Sequence, residues 1–269
     1  MGAAPPPKKR LGQHFLIDQN IVRKIVAAAA LKPDEAVLEI GPGRGVLTRA
    51  LCGQAGRVLA IEVDRSLGAT LEAALAGCAN VEVLFGDALD YPYERLAPRT
   101  VVVANLPYNV SSPLLFKLLH AHQKIDRMVL MLQTEVARRL VAGPGSKDYG
   151  ILSVLTQYRA EPALAFHVSA GCFRPKPAVG STVVVLPMRR EPAVSVGDEP
   201  LFIRTVRASF AHRRKTLVNS LRDEGFPSDR ILPALKAAGI EPSRRAESLT
   251  IAQFAALANA LAQGLGPEA

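Results

Sequence analysis

The 269 residues suffice for one large domain, or a large one with a small companion, and at 49% apolar and 21% charged they describe a water-soluble globule with a sizeable core. The formal charge of +9 favours a polyanionic partner, nucleic acid foremost, over small acidic ligands. No apolar run reaches the ~18 residues of a membrane span, and Cys52, Cys78 and Cys172 are too scattered for a disulfide framework or a zinc ribbon, so they read as buried free thiols of a reducing, cytoplasmic compartment.

Residues Met1 to Pro7 read as disordered. Lys8-Lys9-Arg10 has no apolar core behind it, which argues against a secretory signal. The basic run leads into Leu11-Gly12-Gln13-His14-Phe15-Leu16, which is either a solvated arm with an apolar anchor or an arm over the mouth of a pocket. Asp18 can cap a helix whose apolar face is Ile21, Val22, Ile25, Val26 and Ala29.

A strand, a glycine-rich turn and a helix follow, as Ala36 to Ile40, Gly41-Pro42-Gly43-Arg44-Gly45, and Val46 onward. A second strand, Val58 to Ile61, ends on Glu62 and Asp64. This opens a doubly wound α/β domain, in which the glycines admit a nucleoside and the acid after the second strand accepts ribose hydroxyls. The alternative for the glycines is a plain tight turn. Glu39 lies inside the strand, and Pro42 removes an N–H that a dinucleotide fold would aim at a pyrophosphate. The loop therefore suits a phosphate-free, cationic nucleoside such as S-adenosylmethionine.

A helix over Arg65 to Ala76 leads to a third strand, Val81 to Phe85, which ends at Gly86-Asp87-Ala88. Asp87 there can accept from an adenine amine or cap a turn. A fourth strand, Val101 to Ala104, delivers Asn105-Leu106-Pro107-Tyr108. An amide, a proline and an aromatic suit a site that grips a flat polar molecule, although they also suit a strand exit. Gly41, Glu62, Asp87 and Asn105 would then share one rim, outside the carboxyl ends of the strands.

Ser111-Ser112-Pro113 reads as a capped helix start, and His120 and His122 as surface residues rather than metal ligands. Arg127 to Gln133 is a fifth strand, and Thr134 caps a helix to Val141. The loop 143–150 is long enough to be mobile, with Lys147 as an RNA contact or a solvated charge. A helix over Ile151 to Tyr158 precedes a hairpin of Ala163 to Val168 and Thr182 to Leu186. On the loop between its strands, Phe173 is either a second stacking surface for a base or a core residue. The large domain is expected over 1–188 and a small all-helical domain over 189–269, with 189–200 as linker. In the small domain Phe202, Val206 and Phe210 share a face, and Arg204, Arg207, Arg213, Arg214, Lys215, Arg222, Arg244 and Arg245 suggest a phosphate-tracking surface.

With these motifs in order, the chain resembles the ribosomal RNA adenine dimethyltransferase family (KsgA type) from about Lys9 to Leu261. The likeness rests on Arg10 to Leu16, Glu39-Ile40-Gly41-Pro42-Gly43, Glu62-Val63-Asp64, Gly86-Asp87-Ala88, Asn105-Leu106-Pro107-Tyr108, and Phe210 through Leu221. It implies a Rossmann-like class I methyltransferase sheet. Its cofactor would be S-adenosylmethionine, held by His14, Leu16, Gly41, Gly43, Glu62, Asp87, Ala88 and Asn105. Asn105, Leu106, Pro107 and Tyr108, with Phe173, would handle the target base. The implied substrate is two adjacent adenosines near the 3′ end of small-subunit rRNA, met by a monomer on the small ribosomal subunit, with no metal and no membrane. The sequence departs from the family pattern at His14, usually Asn, and at Pro177-Ala178-Val179, usually Pro-Lys-Val.

The amine of adenine is too weakly acidic for a side-chain base to deprotonate first, so neutral acceptors are expected to steer it: the Asn105 amide carbonyl and the Leu106 backbone carbonyl. Four other readings stay open at this point. They are a sister enzyme on large-subunit rRNA, a non-catalytic RNA-binding factor on the same scaffold, a DNA adenine methyltransferase, and a nicotinamide dehydrogenase. The last is disfavoured by Pro42.

Overall fold

The structure is a computed structural model that describes residues 5–212 and 214–263. Its elements in order are β1 (Phe15–Leu16), α1 (Gln19–Ala29), β2 (Ala36–Ile40), α2 (Val46–Cys52), β3 (Arg57–Glu62), α3 (Gly68–Ala74), β4 (Val81–Phe85), β5 (Thr100–Asn105), α4 (Ser111–His120) and β6 (Ile125–Gln133). Then follow α5 (Thr134–Val141), α6 (Ile151–Arg159), β7 (Ala163–Val168), β8 (Phe173–Arg174), β9 (Ser181–Pro187), α7 (Glu199–Phe210), α8 (Leu217–Asp223), α9 (Ser228–Ala237) and α10 (Ile251–Gln263).

Seven strands form one sheet in the order β4-β3-β2-β5-β6-β9-β7. The first five are parallel, and β9 and β7 add antiparallel. The chain turns outward from β2 in both directions, through β3 and β4 on one side and β5 and β6 on the other. The boundary of β2 and β5 is therefore the topological switch point of a doubly wound sheet. Central strands buried on both faces read as continuous apolar runs, which is why Val101-Val102-Val103-Ala104 is entirely buried. The edge strand β4 alternates half-buried and exposed residues. Asp18 caps α1 by accepting the N–H groups of Asn20 and Ile21.

The chain divides into two compact units, and the division differs from the one expected. One unit runs up to Ala137 and resumes over Glu161–Met188; the other takes Arg138–Ala160 and everything from Arg189. The expected boundary at 188/189 is thus one of three crossings, because α6 belongs with the helices that follow much later. The physical reason is aromatic packing: Tyr158 meets Phe202 at 4.7 Å between ring centroids, and Tyr149 meets Phe210 at 6.0 Å. Gly197 to Pro200 is a helix start rather than linker, with Asp198 accepting from the Leu201 N–H at 2.9 Å. The loop expected to be mobile is tied down, by Gly145 N–H to the Glu247 carbonyl (2.7 Å) and by the buried Tyr149 hydroxyl to the Leu249 carbonyl (2.9 Å).

Two local expectations are also revised, those for the cysteines and for Ser111. Cys52 and Cys78 pair as a disulfide with Cα atoms 6.0 Å apart, leaving Cys172 as the free cysteine among the described residues. They are 26 positions apart, and only the tertiary fold brings them together: Arg49 on α2 donates to the carbonyls of Ala74 and Ala76, and Asn80 donates to that of Cys52. Ser111 opens α4 without a side-chain cap, its hydroxyl donating instead to the Tyr108 carbonyl. Thr134 opens α5, and its hydroxyl donates to the Gly180 carbonyl, a bond that leaves its oxygen able to accept. Met1 to Ala4 and Arg213 lie outside the described residues. No helix among those described is long and apolar enough to cross a membrane, and they hold no cluster suited to a metal.

Candidate active site

Register places the functional residues before any ligand is considered. Ile40 pairs with both Ile61 and Ala104, and Glu62 pairs with Phe85. The turns after β2, β3, β4 and β5 therefore leave the sheet at one edge. They surround an open cleft of about 1010 Å³, mouth included. His14, Leu16, Gly41, Gly43, Glu62, Asp87, Ala88, Asn105, Leu106, Pro107 and Tyr108 all line it. Of the residues expected to hold the cofactor or the base, Phe173 alone does not.

Phe173 is fully buried. It belongs to the core of the first unit with Leu16, Ile21, Val168 and Val183, and its backbone pairs with Leu16. It has no face to offer a base, and the stacking role is withdrawn. The proline-stiffened loop anchors β1 instead.

The glycine turn works as its composition suggests. Gly41 and Gly43 adopt φ of +73° and +57°. A Cβ on Gly43 would lie 2.9 Å from the Phe15 ring, so the residue must be bare. The Gly43 N–H donates to Glu62 Oε2 (3.0 Å) and the Asp64 N–H to Oε1 (2.8 Å), which fixes the carboxylate at the end of β3. Each oxygen retains a further lone pair for a hydroxyl. Asp87 accepts the Leu89 N–H through Oδ1 at 2.8 Å and is exposed at the cleft's edge.

Two acids in the cleft bind protons unusually firmly. Burial pushes the Glu39 carboxyl up to about 8, with the Glu62 charge adding and the Thr48 side chain opposing. Its Oε2 is buried without a hydrogen-bond partner. Burial also raises Glu62, against the lowering pull of the Asp64 and Gly43 N–H groups. An orphaned buried acid beside a second desolvated acid is a site awaiting positive charge.

At the end of β5, the Asn105 amide is oriented by its neighbour. Its Nδ2 donates to the His14 carbonyl at 3.3 Å. Only the nitrogen end of an amide can donate to a carbonyl, so Oδ1 is left as the acceptor. The Leu106 N–H is held by the Met131 carbonyl at 3.2 Å, which fixes the Asn105–Leu106 peptide, the unit just before the one that carries the second expected acceptor. Tyr108 is half-buried, and its hydroxyl lies 2.6 Å from Ser181 Oγ. The His14 ring stacks on Tyr108 at 5.6 Å and donates from Nδ1 to the Pro175 carbonyl (2.8 Å). The side chain of His14 is thus engaged, and its backbone carbonyl does the work at Asn105.

Sequence reading missed the residues that hold these in place. Ser181 arrives on β9, Arg44 lies over the Phe15 ring at 4.6 Å, and Lys8 and Gln13 bind Asp64. Ser181 had no signal, whereas Arg44, Lys8, Gln13 and Asp64 fall inside stretches already singled out, without their partners being readable.

A switch-point cleft whose turn offers little to phosphates, and whose paired acids call for a cation, fits S-adenosylmethionine. The fold and cleft define a class I, Rossmann-like methyltransferase using that cofactor. The chain matches the ribosomal RNA adenine dimethylase family over residues 6–263 and belongs to it, making it an rRNA adenine N-methyltransferase. It is 47% identical to ribosomal RNA small subunit methyltransferase A of Moorella thermoacetica, over 95% of this chain and 92% of the relative. A dimethyladenosine transferase from Plasmodium falciparum superposes with a TM-score of 0.78 at 28% identity, covering 91% of this chain and 96% of the other. The 23S rRNA methyltransferase ErmE gives 0.69 at 30% identity, covering 93% and 100%.

Proposed function

We propose that the protein dimethylates the exocyclic amines of two adjacent adenosines in a hairpin loop near the 3′ end of 16S rRNA, acting as a monomer on the assembling small subunit in the cytoplasm. The cytoplasmic reading no longer draws on three free thiols and rests on the ribosomal substrate. The small-subunit assignment is supported by the relative's name and by the Arg214-Lys215-Thr216-Leu217 segment, in which Arg214 and Lys215 are exposed. In the helical unit Arg204, Arg207, Arg222 and Arg245 are exposed as well, and suit phosphate contacts. Arg244 is half-buried and bonded to Ser248, so it serves structure.

The observation that carries the reaction is the orientation of Asn105. S-adenosylmethionine, when bound, supplies an electrophilic methyl group. Asn105 Oδ1 and the Leu106 carbonyl would each accept one amine hydrogen. That draws the adenine nitrogen toward tetrahedral geometry and frees its lone pair for in-line attack. Both acceptors are uncharged, as suits an amine that stays neutral until it attacks. Tyr108 would hold the extruded base by its ring face once His14 gives way. Gly41, Gly43, Glu62, Asp87 and Ala88 would hold the nucleoside, and His14 and Leu16 would cover it.

Tritiated methyl transfer, run side by side on unmethylated small subunits, free 16S rRNA, large subunits and DNA, tests this. Small subunits should accept four methyl groups each, two per adenosine. Preferential labelling of large subunits would move the protein to the other branch of rRNA methyltransferases.

A further inference from the structure

The segment 5–16 runs to the cofactor cleft, which its residues 11–16 line, and is fastened at named points. Arg44 donates to the Pro5 carbonyl (3.4 Å), and Asn105 to the His14 carbonyl. The densest fastening is at Asp64, which does not line the cleft. Its Oδ1 accepts Lys8 Nζ at 2.6 Å and Ser66 Oγ at 2.6 Å; its Oδ2 accepts Gln13 Nε2 at 2.9 Å. Gln13 ties the arm to itself, its Oε1 accepting the Lys8 N–H at 2.7 Å. Lys8 also reaches Ser66 Oγ at 2.9 Å. The Asp64 side chain is only 3% exposed, while that of Lys8 remains 36% exposed.

The same residue meets the cofactor site from the other side, because its N–H is one of the two that fix Glu62. The linkage runs from arm, through Asp64, to the acid at the end of β3. Gln13, His14, Phe15 and Leu16 are walls of the cleft. Lifting Gln13 and the chain before it away from the cleft requires parting the Lys8 and Gln13 bonds to Asp64.

We propose that Asp64 is a latch: a positioning residue that holds the arm closed over S-adenosylmethionine and sets how long the cofactor is retained, without touching it. This rests on the reading of the cleft as the cofactor site. The latch is built to be strong yet reversible. Charge-assisted bonds to a desolvated carboxylate are short and strong, but Lys8 is exposed enough for water to replace it. Although burial raises the Asp64 carboxyl, its bonds to Lys8, Ser66 and Gln13 hold it well below the usual range, so the latch stays charged at neutral pH.

The test uses the full chain with Asp64→Asn, Lys8→Met, the double variant and Lys8→Arg. Three quantities are read: the dissociation rate of S-adenosylmethionine by stopped flow, the rate of trypsin cleavage after Lys9 and Arg10, sites kept in every variant, without cofactor, and KM and kcat in steady state. D64N and K8M should each speed dissociation by about tenfold, the size expected for losing a charge-assisted bond. Both should also hasten cleavage of the arm. The double variant should be little worse than either single one, and K8R should behave like wild type. The KM for cofactor should rise more than kcat falls, a split that general destabilisation would not produce. K8M alters an exposed side chain, so folding is not at stake there. Dissociation within twofold of wild type in both D64N and K8M, with trypsin sensitivity unchanged, would overturn the latch. If the wild type bound no S-adenosylmethionine, the cofactor reading would fall by itself, and trypsin cleavage of the free protein would still decide whether Asp64 holds the arm.

Discussion

The hydroxyl of Tyr108, delivered at the end of β5, lies 2.6 Å from Ser181 Oγ at the start of β9, two strands away across the sheet. The contact aims the ring without using its face. Tyr108→Phe keeps the face and loses one hydrogen bond, so methyl transfer should stay within about threefold of wild type, with a small loss of stability. Tyr108→Ala should raise KM for the RNA by an amount worth ~1–3 kcal/mol, the usual contribution of a stacked base. Steady-state kinetics on small subunits distinguish the two variants, and equal behaviour would remove the stacking role.

Asn105→Ala removes an acceptor for the amine and the tie to the His14 carbonyl. We expect kcat to drop about 100-fold or more, equivalent to about 3 kcal/mol in the barrier, with a smaller loss of RNA affinity. Single-turnover methyl transfer measures this directly. Near-normal turnover would show that the base is steered by something else.

Glu39 and Glu62 make stability depend on pH in a defined direction. Both hold their protons more firmly folded than unfolded, Glu39 up to about 8 from the ordinary 4.5. The folded state therefore binds more protons between those values, and stability falls as pH rises through that window. Asp64 is depressed instead, so its contribution is present above about 4 and lost as pH falls further. In calorimetry of the cofactor-free protein, Tm should decline from pH 5 to 8, and Glu39→Gln should flatten that decline. Parallel curves for the two proteins would contradict the burial argument.

Phe173 gives the converse test. As a core residue, Phe173→Ala should cost about 3–5 kcal/mol in urea unfolding. Phe173→Leu should fold with a modest loss and methylate at close to the wild-type rate. A stacking residue would give the opposite pattern, with unchanged stability and impaired RNA binding.

Much of the site was legible because its signals are local. Pro42 between two glycines, an acid after β3 and an amide after β5 each state their chemistry within a few residues, and the parallel α/β pattern puts such turns on one edge. Phe173 was not legible. An aromatic on a proline-rich loop looks the same in sequence whether its ring faces a substrate or the core, and pairing with Leu16 decides. The disulfide between Cys52 and Cys78 and the place of α6 escaped for a related reason, since each depends on partners brought together only by packing.

By itself the sequence determined the order of strands and helices, the phosphate-averse glycine turn and the identity of the residues along the cleft, because hydrophobic period and turn chemistry act over a handful of neighbours. The tertiary structure alone decided that Lys8 and Gln13 meet Asp64, that His14 orients Asn105, and that Glu39 is buried with an unpaired oxygen. Those are through-space relations between strand tips and a distant arm. Burial, which sets proton affinity and bond strength, exists only once the chain has closed around them.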